Sequence, residues 1–381
     1  MKTIIKTSCT FAVCTLLALA ALTVPGQAKA DTKEEPLIQM AILLDTSNSM
    51  DGLINQARSE IWKIVNEFAL AKRNGVRPRL EVALYEYGND GIKDEGWVRQ
   101  VLPLTNDLDK VSEELFALRT LGGSEYCGQV IRSAVAELKW SRSNKDLKVI
   151  FIAGNEPFDQ GKIDYRGSCK NAIKKGIMVN TIHCGNQQEG VRTHWKDGAM
   201  LADGRYMHID QNKAVAHIAA PQDKRIAELG AEMNQTYIPY GAGGQVAVAR
   251  QAAEDSNASS ASPSAMTQRA IFKSGYHYRN DSWDLVDAVK NKSVELDDVD
   301  EEQLPEEMKK MDSDQRAKHV KKTLKRREEL QVEIQKLNDD RKVFVASKRK
   351  ELQESKGEKT LDSVMIEAVH EQGAKRNFDF K

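Results

Sequence analysis

Asp45, Ser47 and Ser49 alternate along Asp45-Thr46-Ser47-Asn48-Ser49, directly after the apolar run Leu37 to Leu44. One carboxylate and two hydroxyls at two-residue spacing offer hard oxygen donors, the kind that suit Mg²⁺, Mn²⁺ or Ca²⁺. An apolar run ending in such a set reads as a buried strand that delivers ligands to its carboxyl end, where open α/β sheets place their sites. The same residue types cap helices, so Asp45 and Ser47 also have a purely structural reading. A third reading is phosphoryl transfer from a strand-end aspartate. That chemistry needs a second acid two residues later to protonate the leaving group, and Ser47 cannot serve as one.

The flanking pattern tells which elements carry these residues. From Gly52 to Arg73 the apolar positions Leu53, Ile54, Ala57, Ile61, Ile64, Val65, Phe68 and Ala69 recur at helical spacing, with Gly75 and Pro78 as the stop. Leu80 to Tyr87 and Trp97 to Leu104 read as strands joined by the turn residues Gly88-Asn89-Asp90-Gly91, an antiparallel hairpin. Helices are expected over 107–118 and 126–140, a fully apolar strand over 147–153, a helix over 168–175 and a strand over 177–182. A helix over 192–202, a short strand over 206–209 and a helix over 224–236 complete the pattern. Strands alternating with helices imply a doubly wound, mostly parallel α/β sheet covered on both faces.

Set in this pattern, the first loop resembles the D-x-S-x-S loop of the von Willebrand factor A (VWA) family, which holds a divalent cation at the top of a doubly wound sheet. The resemblance covers residues 36–240. It implies a MIDAS-like site, the family's cation site built from three loops. The second loop normally presents a threonine after a Gly-Gly turn, and Gly122-Gly123-Ser124 stands there. Ser124 keeps the hydroxyl; its structural reading is a helix cap with Glu125 in the first turn. The third loop departs from the family. Thr-Asp-Gly is usual, whereas this chain has Ala153-Gly154-Asn155-Glu156. Depending on a one-residue gap, Gly154 or Asn155 takes the place of the aspartate, and Asn155 offers a neutral carbonyl only. Glu156 is the alternative substitute, although Pro157 beside it points to a turn. The implied metal set is Asp45, Ser47, Ser49, Ser124 and Asn155, with Asp45 carrying nearly all the charge. Affinity is expected to be weaker than with both aspartates, or to depend on an Asp or Glu from a partner protein.

The remaining candidates for chemistry are thin. Cys127, Cys169 and Cys184 stay in the mature chain, and an oxidising compartment suggests one disulfide of unassigned pairing plus a spare thiol. His183, His194, His208 and His217 lack the tight paired spacing of a zinc site. No nucleophile elbow, P-loop or dinucleotide fingerprint occurs. Gly241-Ala242-Gly243-Gly244 reads as a linker.

Composition bounds the partners. Lys plus Arg and Asp plus Glu are 56 each, so no global field points to nucleic acid. Residues 1–30 read as a cleaved signal peptide, with Lys2 and Lys6 before an apolar core and Ala28-Lys29-Ala30 as the cleavage site. An uncleaved anchor is the alternative. No later stretch is apolar enough to span a bilayer, so a periplasmic or secreted protein is expected.

After a linker over 241–270, the C-terminal part (271–381) is expected to be helical. Phe272, Tyr276, Tyr278, Trp283, Leu285 and Val286 should be buried against the first domain. A long charged helix spans about 312–354, with Leu330, Ile334, Leu337 and Phe344 as a stripe that Arg341 interrupts. That stripe is either a short partner-binding coiled coil or a face packed on its own domain. Residues 357–381 are expected to be mobile apart from a turn at Val364 to Val369. The function these features imply is metal-dependent protein binding without catalysis. The alternative is a structural cell-envelope module with a degenerate metal site, and a hydrolase comes last.

Overall fold

Leu37–Asp45 (β1) is buried almost from end to end, as an unbroken apolar run requires. The computed structural model describes residues 35–380 apart from 52–53, 95, 210–217, 262 and 357–360. Residues 1–30, read above as a signal peptide, lie outside the described residues. In chain order β1 is followed by α1 (Ile54–Phe68), β2 (Lys72–Arg73), β3 (Arg79–Tyr87), β4 (Val98–Thr105), α2 (Leu108–Ala117) and α3 (Cys127–Glu137). Then come β5 (Leu147–Gly154), α4 (Tyr165–Lys174), β6 (Ile177–Cys184), α5 (Gln187–Arg192), α6 (Trp195–Met200), β7 (Tyr206–Ile209) and α7 (Asp223–Asn234).

Among the described residues one six-stranded sheet runs in the order β4-β3-β1-β5-β6-β7. All its pairings are parallel except β3 with β4, the expected hairpin. The fold is therefore the doubly wound α/β type. The register aligns Asp45 with Tyr87, Leu44 with Ala153, and Gly154 with His183. Four strand ends thus meet at the carboxyl edge around Asp45.

Period-2 alternation divides the core. Ile38, Met40, Ile42 and Leu44 pack with α1, α2 and α7 on one face. Ala41 and Leu43 pack with Val130, Ile131, Cys169 and Ala172 of α3 and α4 on the other. Cys184 belongs to the first layer and Cys127 and Cys169 to the second. All three are buried free thiols, so the expected disulfide is absent. The sheet itself separates Cys184 from the other two.

Several boundaries differ from the pattern-based reading. Helix α1 stops at Phe68, because Lys72 and Arg73 pair with the C-terminal strand β8 (Phe378–Asp379). The helix expected over 192–202 is two short ones, broken at His194, whose φ of 73° is left-handed. The segment expected as a linker carries α8 (Gly244–Ala261) and α9 (Pro263–Lys273). Beyond it lie α10 (Leu285–Lys290), α11 (Glu306–Lys309), α12 (Ser313–Lys356) and α13 (Leu361–Ala374).

Of these helices α8, α9, α12 and α13 join the core that α1 packs on. Leu285 and Val286 of α10 and Met308 of α11 form a separate buried cluster with Ile238 and Val320, and Tyr276 is exposed where burial was expected. Phe272 meets Trp62 of α1 edge-on at 5.4 Å, and Leu330, Ile334, Met365 and Val369 join the same cluster. From Glu35 onward the chain is one compact unit. The stripe on α12 packs on its own chain, since Leu330 and Ile334 are fully buried there. Its interruption is explained too: Arg341 Nε donates to Asp223 Oδ1 of α7 at 2.6 Å. Arg327, on the same face and 1% exposed, pairs with Asp284 Oδ2 at 2.5 Å and Asp287 Oδ1 at 2.7 Å. The tail expected to be mobile forms α13 and β8, with Ala368 and Val369 fully buried.

Candidate functional site

Asp45 is the last residue of β1 and is completely buried. Its Oδ1 accepts the Ser47 backbone N–H at 2.8 Å, which folds the chain back over the strand end. Its Oδ2 is buried with no hydrogen-bond partner. Burial pushes the Asp45 carboxyl up to about 7; bonds from Ser47 oppose the rise and the nearby Glu125 adds to it. The Asn155 backbone amide exerts a weaker pull on the carboxylate from outside hydrogen-bond geometry. An unpaired oxygen at a fully buried carboxylate costs free energy unless a hydrogen-bond donor, a proton or a cation meets it.

The hydroxyls form a chain above it. Ser47 Oγ and Ser49 Oγ are 2.8 Å apart, and Ser49 Oγ donates to Asn155 Oδ1 at 3.0 Å. Asn155 Nδ2 returns a bond to the Ser49 carbonyl at 3.2 Å, which ties the first loop to the third. The helix-cap reading of these residues does not hold. Asn48–Met50 is a single 3₁₀ turn, its leading residue Ser47 makes no side-chain capping bond, and α1 begins only at Ile54. Ser124 does not cap either, because α3 starts at Cys127 after Tyr126.

Gly154 proves to be the residue without room for a ligand. A Cβ there would lie 2.5 Å from the Tyr87 hydroxyl and 3.0 Å from Asp45 Oδ2. The Tyr87 hydroxyl is itself fixed, donating to the Ala153 carbonyl at 3.0 Å. Asn155 is therefore the third-loop residue that reaches the other loops.

Ser47, Asn48, Ser49, Gly122, Gly123, Ser124, Glu125, Glu156 and Gln160 line one open polar cleft of about 330 Å³. The five residues expected as a metal set are thus gathered at one strand edge. Ser47, Ser49 and Ser124 line the cleft, Asp45 lies beneath Ser47, and Asn155 is bonded to Ser49. Two further carboxylates share this cleft: Glu156, which the third loop offered as a substitute for the missing aspartate, and Glu125, which the sequence pointed to only as a first-turn residue. Glu125 is only 5% exposed and lies before α3, not in its first turn. Burial raises its carboxyl above the usual range; a bond from Ser47 opposes this and Glu156 adds to it. Its only sequence signal was its place next to Ser124.

The hairpin turn is a second unforeseen component. Asp90 N bonds the Gly122 carbonyl at 2.5 Å, and Asn89 Nδ2 bonds the Arg119 carbonyl at 3.1 Å. The turn after β3 therefore braces the Gly122–Gly123 loop. His183, at the end of β6, contacts the Asn155 carbonyl through Nε2 at 3.2 Å.

The donor set suits a hard divalent cation: one fully buried carboxylate with an unpaired oxygen, and hydroxyl oxygens close by. Among the described residues no three carboxylates, imidazoles or thiols gather as a metal-binding cluster by themselves. Hydroxyl and amide oxygens would have to complete the set.

Residues 39–194 match the family model of the von Willebrand factor type A domain. A search of curated proteins finds no sequence match. Among solved structures, the chain is similar to a conserved hypothetical protein, BatB, from Bacteroides thetaiotaomicron, at 16% identity and TM-score 0.36, covering 45% of this chain and 90% of that one. It is also similar to proximal thread matrix protein 1 from the mussel byssus with a zinc-occupied MIDAS motif, at 12% identity and TM-score 0.35, covering 47% of this chain and 43% of that one. A third is the pilus adhesin SpaC from Lactobacillus rhamnosus GG, at 15% identity and TM-score 0.36, covering 47% of this chain and 28% of that one. At such identities and scores, what a neighbour binds is a property of that neighbour. The sheet order, the Asp45-x-Ser47-x-Ser49 loop at the end of its first strand and the family match agree, and the chain carries a von Willebrand factor type A domain over residues 39–194.

Proposed function

We propose that this chain is an exported protein whose VWA domain binds another protein through a cation-dependent, MIDAS-like site, without catalysing a reaction. The observation that carries the reading is the Asp45 carboxylate, fully buried with Oδ2 unpaired beneath the hydroxyls of Ser47 and Ser49. Asp45 serves as the anionic ligand, Ser47, Ser49 and Ser124 as neutral oxygens, and Asn155 as a weak contributor. Mg²⁺, Mn²⁺ or Ca²⁺ would supply a Lewis-acidic centre able to accept an Asp or Glu of a partner. The open cleft leaves room for such a side chain. Export rests on the basic, then apolar, then Ala28-Lys29-Ala30 pattern of residues 1–30. Among the described residues no helix is long and apolar enough to cross a membrane.

Thermal melts of the mature chain with each cation against chelator, on wild type and Asp45→Ala, test the reading. Ligand binding adds RT ln(1 + [L]/Kd), about 2.7 kcal/mol at a hundredfold excess over Kd, to wild type only. Wild-type melts that ignore all three cations would overturn it. That outcome favours the second reading, a structural envelope module with a degenerate site, for which the missing third-loop aspartate speaks.

A further inference from the structure

We infer that Glu125 supplies the second anionic oxygen of the Asp45 site, standing in for the aspartate that the third loop lacks and for a carboxylate from a partner. This rests on the cation reading of that site. It alters one part of it: the chain completes its own charge set before any partner arrives.

Geometry places the two carboxylates around one gap. A Cβ on Gly88 would lie 2.7 Å from Asp45 Oδ1, 2.9 Å from Glu125 Cγ and 3.5 Å from Ser47 Cβ. Gly88 has a φ of +77°, so the backbone favours glycine there as well. The missing side chain lets the Asp45 and Glu125 side chains close in on the same spot, too tightly for a methyl group, with Ser47 as its third wall. Glu125 is held inward by the loops on either side. A Cβ on Gly123 would lie 2.4 Å from the Gly88 carbonyl, so the two turns are in direct contact. From the other side, Glu125 N–H donates to Gln160 Oε1 at 3.4 Å.

The surroundings leave both charges without a counterion. Glu125 is 5% exposed and Asp45 0%, and among the described residues neither has an ion pair with Lys, Arg or His. Asp45 Oδ2, the oxygen on the Gly154 side of the same carboxylate, is buried without a hydrogen bond and is the independent sign that something is meant to meet this carboxylate. Two neighbouring buried carboxylates without a cation repel and are poorly solvated. One divalent cation neutralises both. Helix capping does not account for Glu125, because it precedes Tyr126, itself the residue before α3. Glu156 shares the cleft, but its carboxylate accepts from the Gln160 side-chain amide at 3.3 Å and is not among the atoms nearest a Cβ on Gly88.

Mn²⁺ binding to the full mature chain, followed by electron paramagnetic resonance of the free ion, tests the assignment on wild type, Glu125→Gln, Glu156→Gln and Asp45→Asn. The expected pattern is binding by wild type without a partner, a loss of at least tenfold in Glu125→Gln, and Glu156→Gln within twofold of wild type. Melts in chelator give the second readout. Glu125→Gln should melt at or above the wild-type temperature there, since it removes an uncompensated buried charge, and should gain less from Mn²⁺. Glu125→Gln binding within twofold of wild type would overturn the assignment while leaving the cation site in place. An equal loss in Glu156→Gln would trace the effect to the overall charge of the cleft and also overturn it. Wild type that binds no Mn²⁺ removes both readings.

Discussion

The Tyr87 hydroxyl occupies the space that a side chain at residue 154 would need, 2.5 Å from where its Cβ would be. The third motif loop therefore departs from the family for a steric reason that reaches across the sheet from β3. Tyr87 pairs with Asp45 in register and bonds the Ala153 carbonyl, so it cannot step aside cheaply.

Restoring an aspartate should consequently depend on which residue receives it. Gly154→Asp is expected to lower stability by about 3 kcal/mol or more, through overpacking and a further buried carboxylate, without a gain in cation affinity. Asn155→Asp should keep the fold and tighten cation binding severalfold, because its side chain already reaches Ser49. Calorimetric titration with Mg²⁺ and Mn²⁺ alongside urea melts would decide between these outcomes, and improved binding in Gly154→Asp would contradict the steric account.

Arg327 should prove the most sensitive residue on α12. It is 1% exposed, lies over the Tyr237 ring at 4.2 Å and pairs with both Asp284 and Asp287. Arg327→Met leaves two buried carboxylates without their partner, a change worth about 3–5 kcal/mol. Replacing Asp284 and Asp287 by Asn in the same chain should recover much of the loss in urea unfolding. No recovery would mean that packing of the guanidinium, rather than charge, dominates.

The C-terminal helices should not be separable from the VWA domain. Phe272→Ala is expected to cost about 3–5 kcal/mol, as for other buried aromatics, and to shift one cooperative transition. A chain ended after Tyr240 loses Phe272, Leu330, Ile334 and Val369 from the core that α1 shares, and should aggregate or melt without cooperativity. A truncated domain with a sharp native-like melt would show the extension to be dispensable.

Stability should fall in mild acid because of His277. Burial holds its pKa down to about 4 against an ordinary 6.5, with Arg77 and Arg279 adding to the shift and the Ala69 backbone opposing it. Its Nε2 is buried without a partner. Between pH 6.5 and about 4 the unfolded chain therefore binds the extra proton. The group's contribution is full above 6.5, is lost as pH falls through that window, and amounts to about 3 kcal/mol at most. His277→Gln should flatten this part of the stability curve measured by urea melts from pH 7 to 4. An unchanged slope would remove His277 as the cause.

The sheet was legible in the sequence because its cause is local. Unbroken apolar runs at Leu37–Leu44 and Leu147–Ala153, alternating with helical spacing, leave few ways to bury both faces of a strand. The first loop was legible for the same reason, since Asp45, Ser47 and Ser49 are held in relation by the end of a single strand. Other features depend on residues far apart in the chain, and only the tertiary structure decided them. Tyr87 chooses Asn155 over Gly154, the Gly88 turn brings Glu125 beside Asp45, and the sheet keeps Cys184 apart from Cys127 and Cys169. The stripe on α12 likewise has two meanings in sequence, because a narrow apolar seam fits a partner helix or a domain surface equally well. The Arg341–Asp223 and Arg327–Asp284 pairs commit it to its own chain, through charges whose matching acids lie in other elements.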